Sequence, residues 1–250
     1  MNLRQRIGQR LARFLSCDRP ELSDGPTSEL HLLRAALQPG DVLLVEGTSR
    51  FSTAIKYLTQ STWSHAAICT GVDPVSLVEA DVNEGVRQVS LEVYHGYHTR
   101  ICRPVALKAT EREQVLAHVN ARLGHQYDVR HIADLARYLF PVPPVPVRWR
   151  RRLLTLGSGE PTRAICSSLI AQAFQSVSYP ILPRIEYQPC QGYTAEECVE
   201  PALRKRHHTL FTPRDFDISP YFAVIKPVLE AGFDPAELTW VEPEAEGESA

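Results

Sequence analysis

Several features that would place a chain of 250 residues at once are missing from this one. No stretch approaches the ~20 apolar residues that a membrane-spanning helix needs. No CxxC occurs among the six cysteines, Cys17, Cys69, Cys102, Cys166, Cys190 and Cys198. Their irregular spacing in a chain of this size does not read as a disulfide framework, so most are expected to be buried thiols that behave as small hydrophobes. No His/Cys pair stands at zinc-ligand spacing, so no metal is expected, and nothing implies an organic cofactor. Formal net charge is -2, which gives no reason to expect a nucleic-acid partner. No internal repeat is present. The first seventeen residues lack the continuous apolar centre of a secretory signal, because Arg4, Arg6, Arg10 and Arg13 interrupt it. The same arginines weaken Phe14-Leu15-Ser16-Cys17 as a lipoprotein cleavage site. The expected location is the cytoplasm, with peripheral contact to a membrane surface left open.

What is present is ordinary globular composition, 44% apolar and 22% charged, on a chain long enough to bury one large core. Residues 1–29 read as an amphipathic helix and a polar linker. Leu3, Ile7, Leu11, Phe14 and Leu15 share a face there, with arginines elsewhere. Such a stripe ordinarily docks on its own domain; a basic one can also lie on an anionic membrane. Residues 30–230 form the expected catalytic domain. Within it, 141–160 carries four prolines and then Arg148, Arg150, Arg151 and Arg152 beside Trp149, which reads as an exposed insertion able to touch phosphate or lipid headgroups. Residues 231–250 form an acidic tail.

The periodicity predicts short strands at Val42–Val45, His65–Gly71, Leu77–Ala80, Val86–Val89, Arg100–Val105 and Phe222–Ile225. Short connections favour an antiparallel meander. A helix with the stripe Phe51, Ala54, Ile55, Leu58 takes Thr48 or Ser49 as its cap. Another begins at a Thr110/Glu113 capping box, buries Val115, Leu116, Val119 and Leu123, and ends at Gly124. Val129–Leu139 reads as a further helix. Thr212–Phe216 reads as a turn.

Cys166 is the candidate nucleophile. It follows a loop-like stretch, Gly157–Thr162, and opens an apolar helix with the stripe Leu169, Ile170, Ala173, Phe174, Val177. A helix N-terminus favours a thiolate, and its free amides can hold an oxyanion. A structural cysteine on a core helix fits the position equally well. Of nine histidines, His65 opens an apolar strand after Trp63-Ser64, at the rim of a sheet where a ring can face a cleft. His118 is expected to face solvent. His95 and His98 lie near a turn, and His207-His208 follow a basic stretch. Glu79 stands in an otherwise apolar strand, where an unpaired carboxylate is costly. If its strand pairs with that of His65 around Val72–Pro74, the two are near neighbours and Glu79 can orient the base.

These segments carry a resemblance. Pro39-Gly40-Asp41-Val42-Leu43-Leu44, Ser64-His65-Ala66-Ala67-Ile68, Val78-Glu79-Ala80 and Ile165-Cys166-Ser167-Ser168-Leu169-Ile170 resemble, in that order, the circularly permuted branch of the NlpC/P60 papain-like superfamily. Within it they are similar to the YiiX/YaeF-like group, and more distantly to lecithin:retinol acyltransferase. Gly124-His125-Gln126-Tyr127-Asp128 and Thr212–Phe216 also look like family segments. The resemblance implies an α+β, permuted papain-like fold, with a small antiparallel sheet or half-barrel packed on helices. It makes Cys166 the nucleophile, His65 the base and Glu79 the orienting residue, with Tyr127 lining the site. Acyltransferase relatives carry histidine in place of Glu79, so the glutamate leans towards the amidase side.

The expected function is a cysteine-dependent hydrolase that cleaves an amide, in a peptide or cell-wall-type substrate, through a thioester acyl-enzyme. One alternative is a lipid-directed acyltransferase or thiol esterase, held at a membrane through residues 1–17 and 148–152. Another is a non-catalytic papain-like scaffold that binds a peptide or lipid. Forward papain order, with His207 or His208 as base, is disfavoured by their polar surroundings.

Overall fold

The computed structural model describes residues 29–81, 84–126, 165–192, 198–232, 234–237 and 239. The N-terminal stripe, Tyr127, the expected helix at 129–139, the 141–160 insertion and the acidic stretch 241–250 lie outside the described residues.

The protein is α+β. Strands β1 (Val42–Val45), β2 (His65–Val72), β3 (Val75–Asp81), β4 (Gly85–Ser90), β5 (Thr99–Pro104), β6 (Arg184–Pro189), β7 (Val199–Arg204) and β8 (Phe222–Ile225) are joined by helices α1 (Leu30–Ala36), α2 (Arg50–Thr59), α3 (Ala109–Asn120), α4 (Ile165–Ser176), α5 (Pro213–Asp217) and α6 (Pro227–Glu230). Six strands form one antiparallel sheet in the order β4-β3-β2-β1-β5-β8, and β6 and β7 form a separate hairpin. Strand β1 lies at the centre and is buried on both faces, which is why its sequence is continuously apolar rather than alternating.

Side-chain alternation divides the core. Val42, Leu44, Ala66, Ile68, Val78, Ala80 and Cys102 face α3 and α4, whose Val115, Val119, Leu169, Ile170, Ala173 and Phe174 close that side. Leu43, Val45, Ala67, Cys69, Leu77 and Ile101 face the other way, onto Leu33 and Ala36 of α1 and onto Leu91 and Tyr94 of a 3-10 turn. Burying a side chain such as Leu169 or Phe174 stabilises the fold by ~1.5–3 kcal/mol. Phe222 of β8 meets Phe174 edge-on at 5.2 Å and Phe216 at 5.5 Å, so an aromatic cluster sets α4 against the sheet.

The turn from β3 to β4 needs Gly85. Its φ is +77°, and a Cβ there would come within 2.4 Å of the His125 carbonyl oxygen. That carbonyl accepts from Val86 N–H at 3.0 Å, and Gly124 N–H donates to the Val86 carbonyl at 2.8 Å. The chain leaving α3 is thereby tied to edge strand β4.

The structure departs from the sequence expectations at several points. Glu111, not Glu113, closes the start of α3, accepting from the Lys108 N–H at 3.1 Å, so the helix begins before Thr110. Leu123 lies beyond α3 in the turn and is partly exposed. Residues 213–217 form a short helix rather than a turn, because Asp215 accepts from the Thr212 N–H at 2.7 Å and from its hydroxyl at 2.8 Å. The β6–β7 hairpin was not anticipated. Its register pairs Pro189 with Val199, so Cys190 and Cys198 follow as the next pair, with Cα atoms 5.4 Å apart, and are joined by a disulfide. They are therefore not the buried thiols expected. Among the described residues no helix is long and apolar enough to cross a membrane.

Candidate active site

The site lies where β2 begins. Ser64 prepares that start: its N–H donates to the Val45 carbonyl at 3.1 Å, and its hydroxyl accepts from the Gly47 N–H at 2.9 Å. A Cβ on Gly47 would lie 2.2 Å from the Ser52 hydroxyl, so the close approach of these segments requires glycine. His65 then pairs with Val45 of β1.

Glu79 of β3 stands opposite Ala67. It is therefore the diagonal neighbour of His65 on one face of the sheet. His65 Nε2 meets Glu79 Oε2 at 2.5 Å. The carboxylate is buried and has three further hydrogen bonds. Arg87 donates to Oε1 from Nε at 2.8 Å and from a terminal nitrogen at 2.7 Å. Tyr94 donates its hydroxyl to Oε2 at 2.6 Å. Burial alone would raise the Glu79 pKa, but His65, Tyr94 and Arg87 bring it down to about 2. Burial, and then the Glu79 charge, push Tyr94 well above its ordinary value, so it stays a donor.

Cys166 is the second residue of α4 and is only 5% exposed. The buried Ser167 hydroxyl donates to the Phe211 carbonyl at 2.8 Å and fixes this first helical turn. Cys166 lies close enough to His65 for its sulfur to act on the ring. Since Nε2 is held by Glu79, Nδ1 is the ring nitrogen left for another partner. Helix α4 packs on one face of the sheet and Glu79 projects from the other. His65 is the first residue of its strand, and its ring is influenced by both the Cys166 sulfur and the Glu79 carboxylate. Burial disfavours the charged imidazolium, but the sulfur and the Glu79 carboxylate outweigh it and hold the His65 pKa well above the usual histidine range.

The other free cysteines described differ in kind. Cys69 and Cys102 are fully buried in the sheet, and burial pushes both thiols up to about 12.

The structure thus brings together Cys166, His65 and Glu79, while Tyr127 lies outside the described residues. Sequence reasoning missed Arg87 and Tyr94. Arg87 was open to discovery by counting back across the Asn83-Glu84-Gly85 turn, since it lies directly opposite Glu79 in the ladder. Tyr94 had no such signal, because it arrives from a 3-10 turn after β4. His98 was read only as near a turn. It is half-buried, bonds Glu46 through Nδ1 at 3.0 Å and packs on Trp63 at 4.9 Å. Lys56 meets the same carboxylate at 2.9 Å. Burial opposes the Glu46 charge, but Lys56 and His98 together lower its pKa. This cluster clamps the end of β1 to α2 and to the start of β5. His118, expected to face solvent, is partly buried, and burial lowers its pKa. Among the described residues, no group of three or more His, Cys, Asp or Glu side chains is arranged to hold a metal ion.

No protein-family model matches the chain, and no curated protein matches it. Among solved structures it is similar to the metalloprotein yiiX from Escherichia coli O157:H7, described as DUF1105. The TM-score is 0.45 and the identity 14%, over 76% of this chain and 96% of that one.

Proposed function

We propose that this protein is a cysteine-dependent hydrolase that cleaves an amide bond through a thioester acyl-enzyme, on a circularly permuted papain-like fold of the NlpC/P60 kind. One observation carries the reading: His65 is hydrogen-bonded to Glu79 and lies close enough to the Cys166 sulfur for the two to interact. The chain order supports permutation, since the histidine strand precedes the cysteine helix.

In this mechanism His65 takes the Cys166 proton at Nδ1, and the sulfur attacks the carbonyl carbon. Glu79 keeps the opposite ring nitrogen oriented and balances the imidazolium charge. Backbone N–H groups in the first turn of α4 receive the oxyanion. As the tetrahedral intermediate collapses, the C–N bond breaks and the amine leaves with the proton from His65. Water then gives a proton to His65 and its oxygen to the thioester carbon. The C–S bond breaks, the acid departs and the thiol is restored. Arg87 and Tyr94 hold the anionic Glu79 in place throughout.

A second reading uses the same residues on a lipid acyl group, with hydrolysis or transfer to an acceptor. The exposed apolar face of the β6–β7 hairpin favours it. Fluorogenic peptide amides and fatty-acyl thioesters, assayed side by side, separate the two. Turnover of a peptide amide that disappears in Cys166→Ala supports the first reading. Turnover of the acyl thioesters alone replaces it with the second, and turnover that survives in Cys166→Ala removes both.

A further inference from the structure

The β6–β7 hairpin stands apart from the six-stranded sheet, and no described side chain from Arg184 to Gln188 or from Val199 to Arg204 is buried. The core therefore does little to order the ribbon, and a two-stranded ribbon alone in water is marginal. Its polar links are weak. Arg204 meets Glu186 at 2.7 Å, but both side chains are open to solvent. Gln188 donates to Glu200 at 3.3 Å, also at the surface. The strong link is covalent. The Cys190 N–H donates to the Cys198 carbonyl at 3.1 Å, and the disulfide joins the two side chains there. A cross-link removes conformational freedom from the open chain, so it orders a ribbon that packing does not.

The base of the ribbon is held separately. Lys205 donates to the Ser178 hydroxyl at 2.9 Å, and Gln175 of α4 donates to the Arg206 carbonyl at 2.6 Å. Arg206 reaches Asp215 at 2.9 Å and the Leu210 carbonyl at 3.0 Å, and lies over the Phe211 ring at 4.7 Å. Phe211 is the residue whose carbonyl fixes the first turn of α4. None of these contacts runs through the two cysteines, so opening the disulfide loosens the strands and leaves the Cys166 turn in place. Access sorts the sulfurs as well. Cys190 and Cys198 are half-buried, within reach of an external thiolate. Cys69 and Cys102 are sealed in the sheet. Cys166 lies nine residues before Gln175, about 14 Å along the helix axis. Exchange at the hairpin therefore begins with a thiol from outside.

We propose that Cys190–Cys198 is a redox-sensitive clasp that switches the ribbon between an ordered and an open state. A dithiol reductant opens it. One thiolate attacks a cysteine sulfur, the S–S bond breaks and a mixed disulfide forms; the second reductant thiol then displaces the protein sulfur. Two electrons and two protons end on Cys190 and Cys198, and the reductant leaves as its own disulfide. With the clasp open, Ile185, Tyr187 and Leu203 lose their fixed array, while the sheet and α4 stay folded. The switch does not rest on the chemistry of Cys166, and Cys166→Ala retains it.

The test is hydrogen exchange of the full chain with and without dithiothreitol, after non-reducing peptide mapping has read the Cys190–Cys198 link. Reduction speeds exchange across 184–189 and 199–204 by more than about tenfold, leaves β1 and α4 unchanged, and is reversed by oxidised glutathione. Cys190→Ser with Cys198→Ser matches the reduced wild type and ignores reductant, and iodoacetamide labels its Cys166 at the wild-type rate. Equal ribbon protection in the oxidised and reduced chains overturns the proposal. So does a chain whose Cys190 and Cys198 stay free thiols under oxidised glutathione. Reduction that loosens β1 along with the ribbon, or a changed Cys166 labelling rate in the double variant, makes the bond a support of the whole fold and overturns the switch.

Discussion

Arg87 and Glu79 stand directly opposite each other in the β3–β4 ladder, and the guanidinium occupies Oε1 through two nitrogens. Oε2 is thereby left to His65 and Tyr94. Arg87 acts on the site only through Glu79, so it is a positioning residue. Arg87→Gln should lower turnover by about tenfold through a misplaced imidazole, and Arg87→Lys should restore part of it. A KM that rises while kcat is unchanged would instead assign Arg87 to substrate binding.

Glu79 also links stability to pH. Its pKa is about 2 in the folded protein against an ordinary value of 4.5. The stability this contributes is fully present above about 4.5, where the carboxylate is ionised in both states. It is lost as pH falls from there through about 2, since the unfolded chain takes up the proton first. Glu79→Gln should destabilise the protein at neutral pH by roughly 2–3 kcal/mol and flatten its acid limb between those values. Parallel wild-type and variant curves in urea unfolding across that range would contradict the assignment.

Much of this arrangement was legible in the sequence. The bounds of β1 and β8 follow from short apolar runs between turns, and Ser49 caps α2 as its position demands. His65 and Glu79 were recognisable because a strand histidine at a rim and a lone carboxylate in an apolar strand both need partners. Tyr94 and His98 were not, because 3-10 turns and strand entries leave no periodic trace and their partners are distant in sequence. The hairpin was hidden for a similar reason: with both ribbon faces solvent-facing at many positions, its alternation does not mark a core. The Cys190–Cys198 pair then depends on a register that spacing alone does not reveal.

The free thiols should divide by reactivity. Cys69 and Cys102 are inert near neutral pH, because burial holds their pKa at about 12. Brief iodoacetamide treatment of the native protein, followed by peptide mapping, should label Cys166 ahead of both, and His65→Ala should slow that labelling at least about tenfold. Labelling of Cys69 or Cys102 at the rate of Cys166 would remove the distinction.

Gly85→Ala meets both a positive φ and the His125 carbonyl. It should cost at least about 1–2 kcal/mol and release the chain after α3 from β4, which hydrogen exchange at Val86 and Gly124 reads directly. Unchanged protection at both amides would mean that this tie does not depend on glycine.

In the proposed reaction Cys166 carries the acyl group. Intact-mass analysis after brief exposure to activated esters and acyl-peptides tests it most directly. Wild type should gain one acyl mass, released by hydroxylamine as a thioester is, and Cys166→Ala should gain none. An acyl adduct that persists in Cys166→Ala would contradict it.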